Sequence, residues 1–301
     1  MGTIIEHVDL AAAHWRNRHS ALGLAVAAAK SCLRHAQCPP DAIDLLVNVG
    51  IYRDRNLGEP ALAALIQQHI GANPHDPHSG AHGTFSFDVA NGTCGVLTAL
   101  QVVDGFFRAR VIDCAMIVAS DANPGFGMSQ HFPFSAVGSA LLCRWTDEAY
   151  GLGSVHWSAA VDDGDSFRAS VGLHDARNVL RFSESATLDV ELARVSARAA
   201  RRCLSQSSLE PNDVSMIIAA PARRGFRAAM ATELAVPQSR IAVADDPKVH
   251  TAALAAAFRD ATGHSTGKTP MLLVAGGAGF TAGAALYRSA PPELAGTVRS
   301  Q

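Results

Sequence analysis

The sequence predicts a layered α/β protein made of two similar halves with mixed sheets. Three observations lead there. Two segments match without a gap at an offset of 171 residues. A second pair of strand-like runs repeats in the same order. Alanine dominates an apolar content of 48%, while aromatics make up 6%. Alanine-rich helices can lie close on a sheet, which suits stacked α/β layers better than a sandwich.

The first repeat runs from Ala28-Ala29 through Cys32-Leu33, Pro40-Asp41 and Ile43 to Leu45-Leu46-Val47. Its partner runs from Ala199-Ala200 through Cys203-Leu204, Pro211-Asn212 and Val214 to Met216-Ile217-Ile218. Each reads as a helix, a proline turn and a short buried strand, an order that argues for parallel pairing. The second echo sets Cys114–Ala119 beside Pro270–Ala275. Each is followed by another apolar run, Gly138–Leu142 and Gly283–Leu286, so both read as strand hairpins. The halves are placed at 1–150 and 151–301 and are expected to pack as one body. The polar stretch from Asp162 to Asn178 between them shows no clear periodicity and reads as a solvated loop. It lacks the ligand spacing and final glutamate of a calcium loop.

Composition excludes several function classes. Charged residues are 17% and the formal net charge is -2. A disordered chain needs lower hydrophobicity and more charge. A nucleic-acid binder needs a basic excess to meet phosphates. No apolar run reaches the ~18 residues of a membrane span. The first nine residues hold two acids and no basic cluster, unlike a secretory signal. The six cysteines form no CxxC pair and sit mostly in apolar runs, so a reducing cytoplasm is the natural setting.

The most informative stretch is Phe85–Val96. An alternating strand enters small residues, and a helical pattern follows on Val96, Leu97, Leu100, Val103 and Phe107. Thr93 and Cys94 then fall at the first turn of a buried helix, flanked by Gly92 and Gly95. The positive end of that helix would lower a thiol's pKa there. Cys94 as a plain small core residue is an equal reading. Near the other end, Gly276-Gly277-Ala278-Gly279 follows a buried strand. It does not fit a dinucleotide fingerprint. Its amides could serve an oxyanion, or it is a tight hairpin.

FDVANGTCGV at 87–96, VIDCAMIVASD at 111–121 and GGAGFTAGAAL at 276–286 resemble a ketoacyl synthase III relative of the thiolase superfamily. The resemblance covers about residues 20–288 and implies a thiolase-like fold, a duplicated five-layered αβαβα body with mixed sheets. It also resembles the olefin-biosynthesis enzyme that joins two acyl-CoA molecules head to head, through FDVAN, Arg53-Asp54 and Glu59-Pro60-Ala61. That likeness assigns Glu59 as a base reaching the partner subunit's site.

The departures are as informative. In the family a nucleophilic cysteine lies five residues after the aspartate. Counting from Asp88 reaches Thr93, and Gly95 fixes the register, so the cysteine is one place late at Cys94. The family's histidine falls on Ala220 and its asparagine on His250. For the family's CoA-contacting tryptophan and arginine, Trp15 and Arg16 are at hand, with no register that fixes them.

Three readings stay open. Thr93 is the nucleophile with His250 as its base; or Cys94 turns into the site and pairs with His250; or condensation chemistry is lost and the chain scaffolds an active homologue, lending it Glu59. The first two suit acyl transfer from acyl-CoA or acyl-carrier-protein thioesters, in fatty-acid-like, polyketide or other secondary metabolism. Decarboxylative condensation is less favoured, because one imidazole replaces the usual histidine and asparagine. The resemblance implies oxyanion or substrate contacts at Gly95 and Gly279. The basic cluster Arg223-Arg224 is placed near the site mouth, facing CoA phosphate or a carrier's acidic helix, or else is a solvated helix start. His75, His78 and His82 fit no standard zinc spacing, so no metal and no resident cofactor is expected. The resemblance implies a homodimer, or a heterodimer with a homologous synthase, with Phe85 and Phe87 at or near the interface.

Overall fold

The computed structural model describes residues 2–15, 18–73, 83–162, 166–262, 269–277 and 279–290. The chain opens with strand β1 (Gly2–Ala12), helix α1 (Ala21–His35), β2 (Leu45–Asn48), α2 (Leu62–Ile70) and β3 (Phe85–Asp88). Then come α3 (Gly95–Arg108) and the hairpin of β4 (Cys114–Asp121) and β5 (Val137–Thr146). Short strands β6 (Gly151–Leu152) and β7 (His156–Ala159) lead to β8 (Phe167–His174) and β9 (Arg177–Glu184). The chain continues with α4 (Leu188–Ser205), β10 (Ile217–Ala220), α5 (Arg224–Leu234), β11 (Ile241–Ala242) and α6 (Ala253–Thr262). It closes on β12 (Met271–Gly277) and β13 (Thr281–Arg288).

The repeat seen in the sequence has a direct structural counterpart. α1, a single turn at Pro40–Ala42 and β2 correspond to α4 and β10. α1 starts where the Ser20 hydroxyl accepts from the Gly23 amide, and it buries Ala21, Leu24, Ala25, Ala28, Ala29, Cys32 and Leu33. The first sheet runs β1-β5-β4-β2-β3 and the second β11-β10-β12-β13-β6, with β7 also on β13. β2 pairs in parallel with β3 and β4, and β10 with β11 and β12. The expected hairpins form: β4 runs antiparallel to β5, and β12 to β13.

Strand alternation then sets the layers. In β4, Ala115, Ile117 and Ala119 face a central core with α3 and α6, while Met116 and Val118 face α1 and α2. In β12, Leu273 and Ala275 face that same central core, while Leu272 and Val274 face α4 and α5. The result is five layers, helices–sheet–helices–sheet–helices. Truncating a fully buried central residue such as Leu97 or Leu141 to alanine costs about 2–5 kcal/mol. All six cysteines are free and buried. No helix among the described residues is long and apolar enough to cross a membrane.

One expectation is corrected. Most of the stretch read as a solvated loop is β-structure: β8 and β9 pair antiparallel from Phe167↔Glu184 to His174↔Arg177. Both strands are largely exposed, with only Val179 and Leu180 buried. The ribbon therefore lacks the hydrophobic alternation that reveals a half-buried strand. It is held instead by backbone: the Leu180 amide donates to Met128 O, and the Gln130 amide to Leu180 O.

Candidate active site

β3 delivers the chain to the site and Asp88 fixes its exit. The Asp88 carboxylate accepts from the Leu62 and Ala63 amides at 2.9 and 2.8 Å, capping α2, and pairs with Arg53 at 3.0 Å. The chain then turns through Gly92, whose φ is 49°, into a single 3-10 turn at Gly92–Cys94. α3 begins only at Gly95. A Cβ there would stand 2.9 Å from that of Val49, so glycine lets the helix start lie on the end of β2.

Thr93 and Cys94 point different ways. Thr93 is 6% exposed and donates its hydroxyl to Gly276 O at 2.5 Å. Cys94 is fully buried, its thiol 3.4 Å from Ala275 O and 3.6 Å from Thr281 O. The expectation of a lowered thiol pKa is overturned: burial pushes Cys94 up to about 12. Desolvation by the central core outweighs the weak field of the helix end.

Thr93 lines a cavity of about 470 Å³ together with His250 and Gly277. Its wall is largely aromatic and aliphatic, with Tyr52, Phe134, Phe167, Phe182 and Leu192 among the lining residues. His250 sits just before α6, its ring 4.2 Å from that of Phe134 and 5.3 Å from that of Tyr52. A Cβ on Gly92 would be 3.9 Å from His250 Cε1 and Nε2, so the Nε2 edge faces the Thr93 turn.

The other edge of the ring meets Asp121, at the end of β4. His250 Nδ1 lies 3.4 Å from Asp121 Oδ2, a close polar contact rather than an aligned hydrogen bond. The carboxylate also accepts from the Ile51 and Tyr52 amides at 3.3 and 3.1 Å. From Thr251 it takes the amide at 2.8 Å and the hydroxyl at 2.6 Å. Burial alone would push this carboxyl up, but His250 and Thr251 outweigh it and hold it below its ordinary value. A base oriented by a buried carboxylate, beside a hydroxyl in one cavity, is the arrangement that nucleophilic acyl transfer requires.

The remaining expected residues fall outside this arrangement or are already engaged. The Gly95 amide donates to Gly92 O, so it is committed and not free for an oxyanion. Gly279 has φ 72° at the exposed tip of the β12–β13 turn; Gly277, not Gly279, lines the cavity. The run is therefore a tight hairpin, and its inner glycine does the approaching. A Cβ on Gly277 would lie 3.0 Å from Cys94 Sγ and 3.6 Å from Thr93 Oγ1. Arg223 does line the cavity, but it is paired with Asp189 and with both oxygens of Glu184. Arg224 is exposed at the start of α5. Glu59 is exposed on a loop and does not line this chain's cavity. Ala220 is fully buried at the end of β10, and Pro221 after it lines the cavity, so no imidazole enters from that strand. Trp15 is exposed; Arg16, His75, His78 and His82 lie outside the described residues.

No protein-family model matches the chain. The beta-ketoacyl-[acyl-carrier-protein] synthase III of Aquifex aeolicus is 22% identical over 277 residues, covering 88% of this chain and 83% of that protein. The synthase III of Actinobacillus succinogenes is 28% identical over 279 residues, covering 87% and 82%. The crystal structure of the Aquifex aeolicus 3-oxoacyl synthase III superposes with a TM-score of 0.79 at 17% identity, over 96% of this chain and all of that one. The chain has the thiolase-like fold of the ketoacyl synthase III enzymes and resembles them in sequence along most of its length. A variant of Xanthomonas campestris OleA also superposes, with a TM-score of 0.76 at 13% identity over 96% of this chain.

In this ketoacyl synthase III-like protein Thr93 faces the cavity, and the thiol beside it is withdrawn into the core. Sequence reasoning missed two features. One is Asp121, whose signal is a lone carboxylate ending an apolar strand. The aromatic wall was missed because Tyr52, Phe134, Phe167 and Phe182 come from distant loops and strands.

Proposed function

We propose that the protein is an acyltransferase that takes acyl groups from CoA or acyl-carrier-protein thioesters through an ester on Thr93. The observation that carries this reading is that Thr93 and His250 line one largely apolar cavity, with Asp121 anchoring the far edge of the imidazole. The Thr93 hydroxyl gives up its contact with Gly276 O and attacks the thioester carbonyl. His250 Nε2 takes the hydroxyl proton, and Asp121 compensates the imidazolium. The tetrahedral adduct collapses, the C–S bond breaks, and the departing sulfur takes the proton from His250. An alcohol or amine acceptor then attacks the ester with the same base, releasing Thr93. The backbone amides of Thr93 and Gly277 are the candidates to hold the oxyanion. The aromatic wall suits an apolar acyl chain.

The relatives that bear the synthase III name support the substrate class. The absence of an imidazole at Ala220 argues against decarboxylative condensation as the main reaction. The halves at 1–150 and 151–301 contribute Thr93 and His250 respectively. A cytoplasmic protein working as a dimer of like or homologous chains fits this reading, with Glu59 reaching the neighbouring subunit.

A second reading is a catalytically silent subunit that pairs with an active homologue. The engagement of Thr93 with Gly276 O and the burial of Cys94 favour it. Incubation with a panel of acyl-CoAs, read by intact mass, separates the two. An acyl adduct that disappears in Thr93→Ala supports the enzyme. No adduct, with tight association to a co-expressed homologue, supports the silent subunit.

A further inference from the structure

The second cluster of chemistry-bearing side chains lies away from this cavity, between β1 and α1. His7 and Asp9 are two residues apart on β1, so the strand's period places them on one face. Ala11, next on that face, packs against the core under α1, and the Cys32 thiol of α1 donates to His7 O. α1 ends at His35, which brings a second imidazole over the same carboxylate. His35 Nδ1 lies 2.8 Å and His7 Nε2 3.4 Å from Asp9 Oδ2. The imidazole ring centroids are 5.6 Å apart. One ligand atom from each residue lies within 4.8 Å of the others. None of the three lines the acyl cavity.

We propose that His7, Asp9 and His35 bind one divalent transition-metal ion of the zinc class, tying the end of α1 to β1. Two imidazoles and one carboxylate are borderline ligands that suit zinc better than calcium or magnesium. Tetrahedral zinc with bonds of about 2.0–2.1 Å spaces its ligand atoms roughly 3.4 Å apart. The His7–Asp9 separation already has that value. The His35–Asp9 contact opens slightly to admit the ion, and His35 is half-exposed and free to swing. On binding, His35 carries its hydrogen on Nε2 and His7 on Nδ1, leaving the facing nitrogens as ligands. Solvent fills the fourth position. The two ligands on β1 are held by pairing with β5: the register shifts between Ile5 and His7 and then runs unbroken from His7↔Leu142 to Ala12↔Val137.

The test uses tag-free, chelator-treated full-length protein titrated with Co²⁺, whose visible bands report the ligand field, followed by competition with Zn²⁺. The expected result is uptake of about one equivalent, displaced by zinc, and a zinc-dependent rise in unfolding temperature. His7→Ala, Asp9→Ala and His35→Ala each weaken binding by at least about tenfold. All three sites are at least partly exposed, and circular dichroism confirms that each variant folds. The combined His75→Ala, His78→Ala and His82→Ala variant binds as the parent does. No stoichiometric uptake, uptake that survives His7→Ala and His35→Ala, or uptake lost only with residues 75, 78 and 82 overturns the proposal.

Discussion

Asp121 holds His250 at 3.4 Å from inside the protein, with Ile51, Tyr52 and Thr251 holding Asp121 in turn. The imidazole thus has a charged anchor on its buried edge and the Thr93 turn on its other edge. If this is a working base, His250→Ala lowers the rate of acyl transfer by about 10²–10⁴-fold. Asp121→Asn lowers the rate while leaving the KM for acyl-CoA nearly unchanged, because Asp121 does not line the cavity. Steady-state kinetics on both variants checks this; a change confined to KM would contradict it.

The same carboxylate makes stability depend on acid. Its folded pKa is held below the ordinary value, so its contribution is present above the unfolded pKa of about 3.9 and is lost as pH falls through the folded value. Unfolding temperature is expected to drop steeply below about pH 4 in the parent protein and less steeply in Asp121→Asn. At neutral pH the asparagine turns an amide group or a weaker acceptor toward the Thr251 donors, at a cost of about 1–3 kcal/mol. Parallel slopes in thermal melts from pH 7 to 3 would show that Asp121 is not the group responsible.

Cys94 is expected to be chemically silent. With its thiol pushed up to about 12 and no exposure, it should resist iodoacetamide at pH 8 in the native state and react after unfolding. Cys94→Ala should retain acylation. Mass mapping of alkylated sites, with rapid native labelling of Cys94 as the contrary outcome, decides between Cys94 and Thr93.

Phe85 is 60% exposed on β3, the edge strand of the first sheet, with its ring 5.3 Å from that of Phe87. An open edge bearing large apolar groups favours pairing with another chain. On the proposed dimer, Phe85→Asp is therefore expected to give a monomer in light scattering where the parent gives a dimer. An unchanged mass would move the interface elsewhere.

The internal repeat and both hairpins were legible because buried parallel strands read as continuous apolar runs, as in Leu45–Val47 and Ile217–Ala220. The β8–β9 ribbon was not legible. Arg168, Ser170 and Arg181 on exposed strands carry no hydrophobic alternation, and its anchoring comes from backbone bonds to Met128 and Gln130. The site was half legible. Counting from Asp88 reached Thr93, and the place of the family's asparagine reached His250; the two do share a cavity. The direction of Cys94 could not be read, because a one-residue step through a 3-10 turn carries the side chain from cavity to core. Gly279 was two residues too far, since only the pairing of Gly277 with Thr281 shows which glycine faces inward.

The most direct test of the account is the position of a trapped acyl group. The protein is incubated with acyl-CoA, quenched in acid, digested and sequenced by tandem mass spectrometry, with a parallel sample treated with neutral hydroxylamine. The account predicts the acyl group on Thr93, as an ester that survives neutral hydroxylamine. An acyl group on Cys94 that hydroxylamine removes, or no acyl group at all, would contradict it.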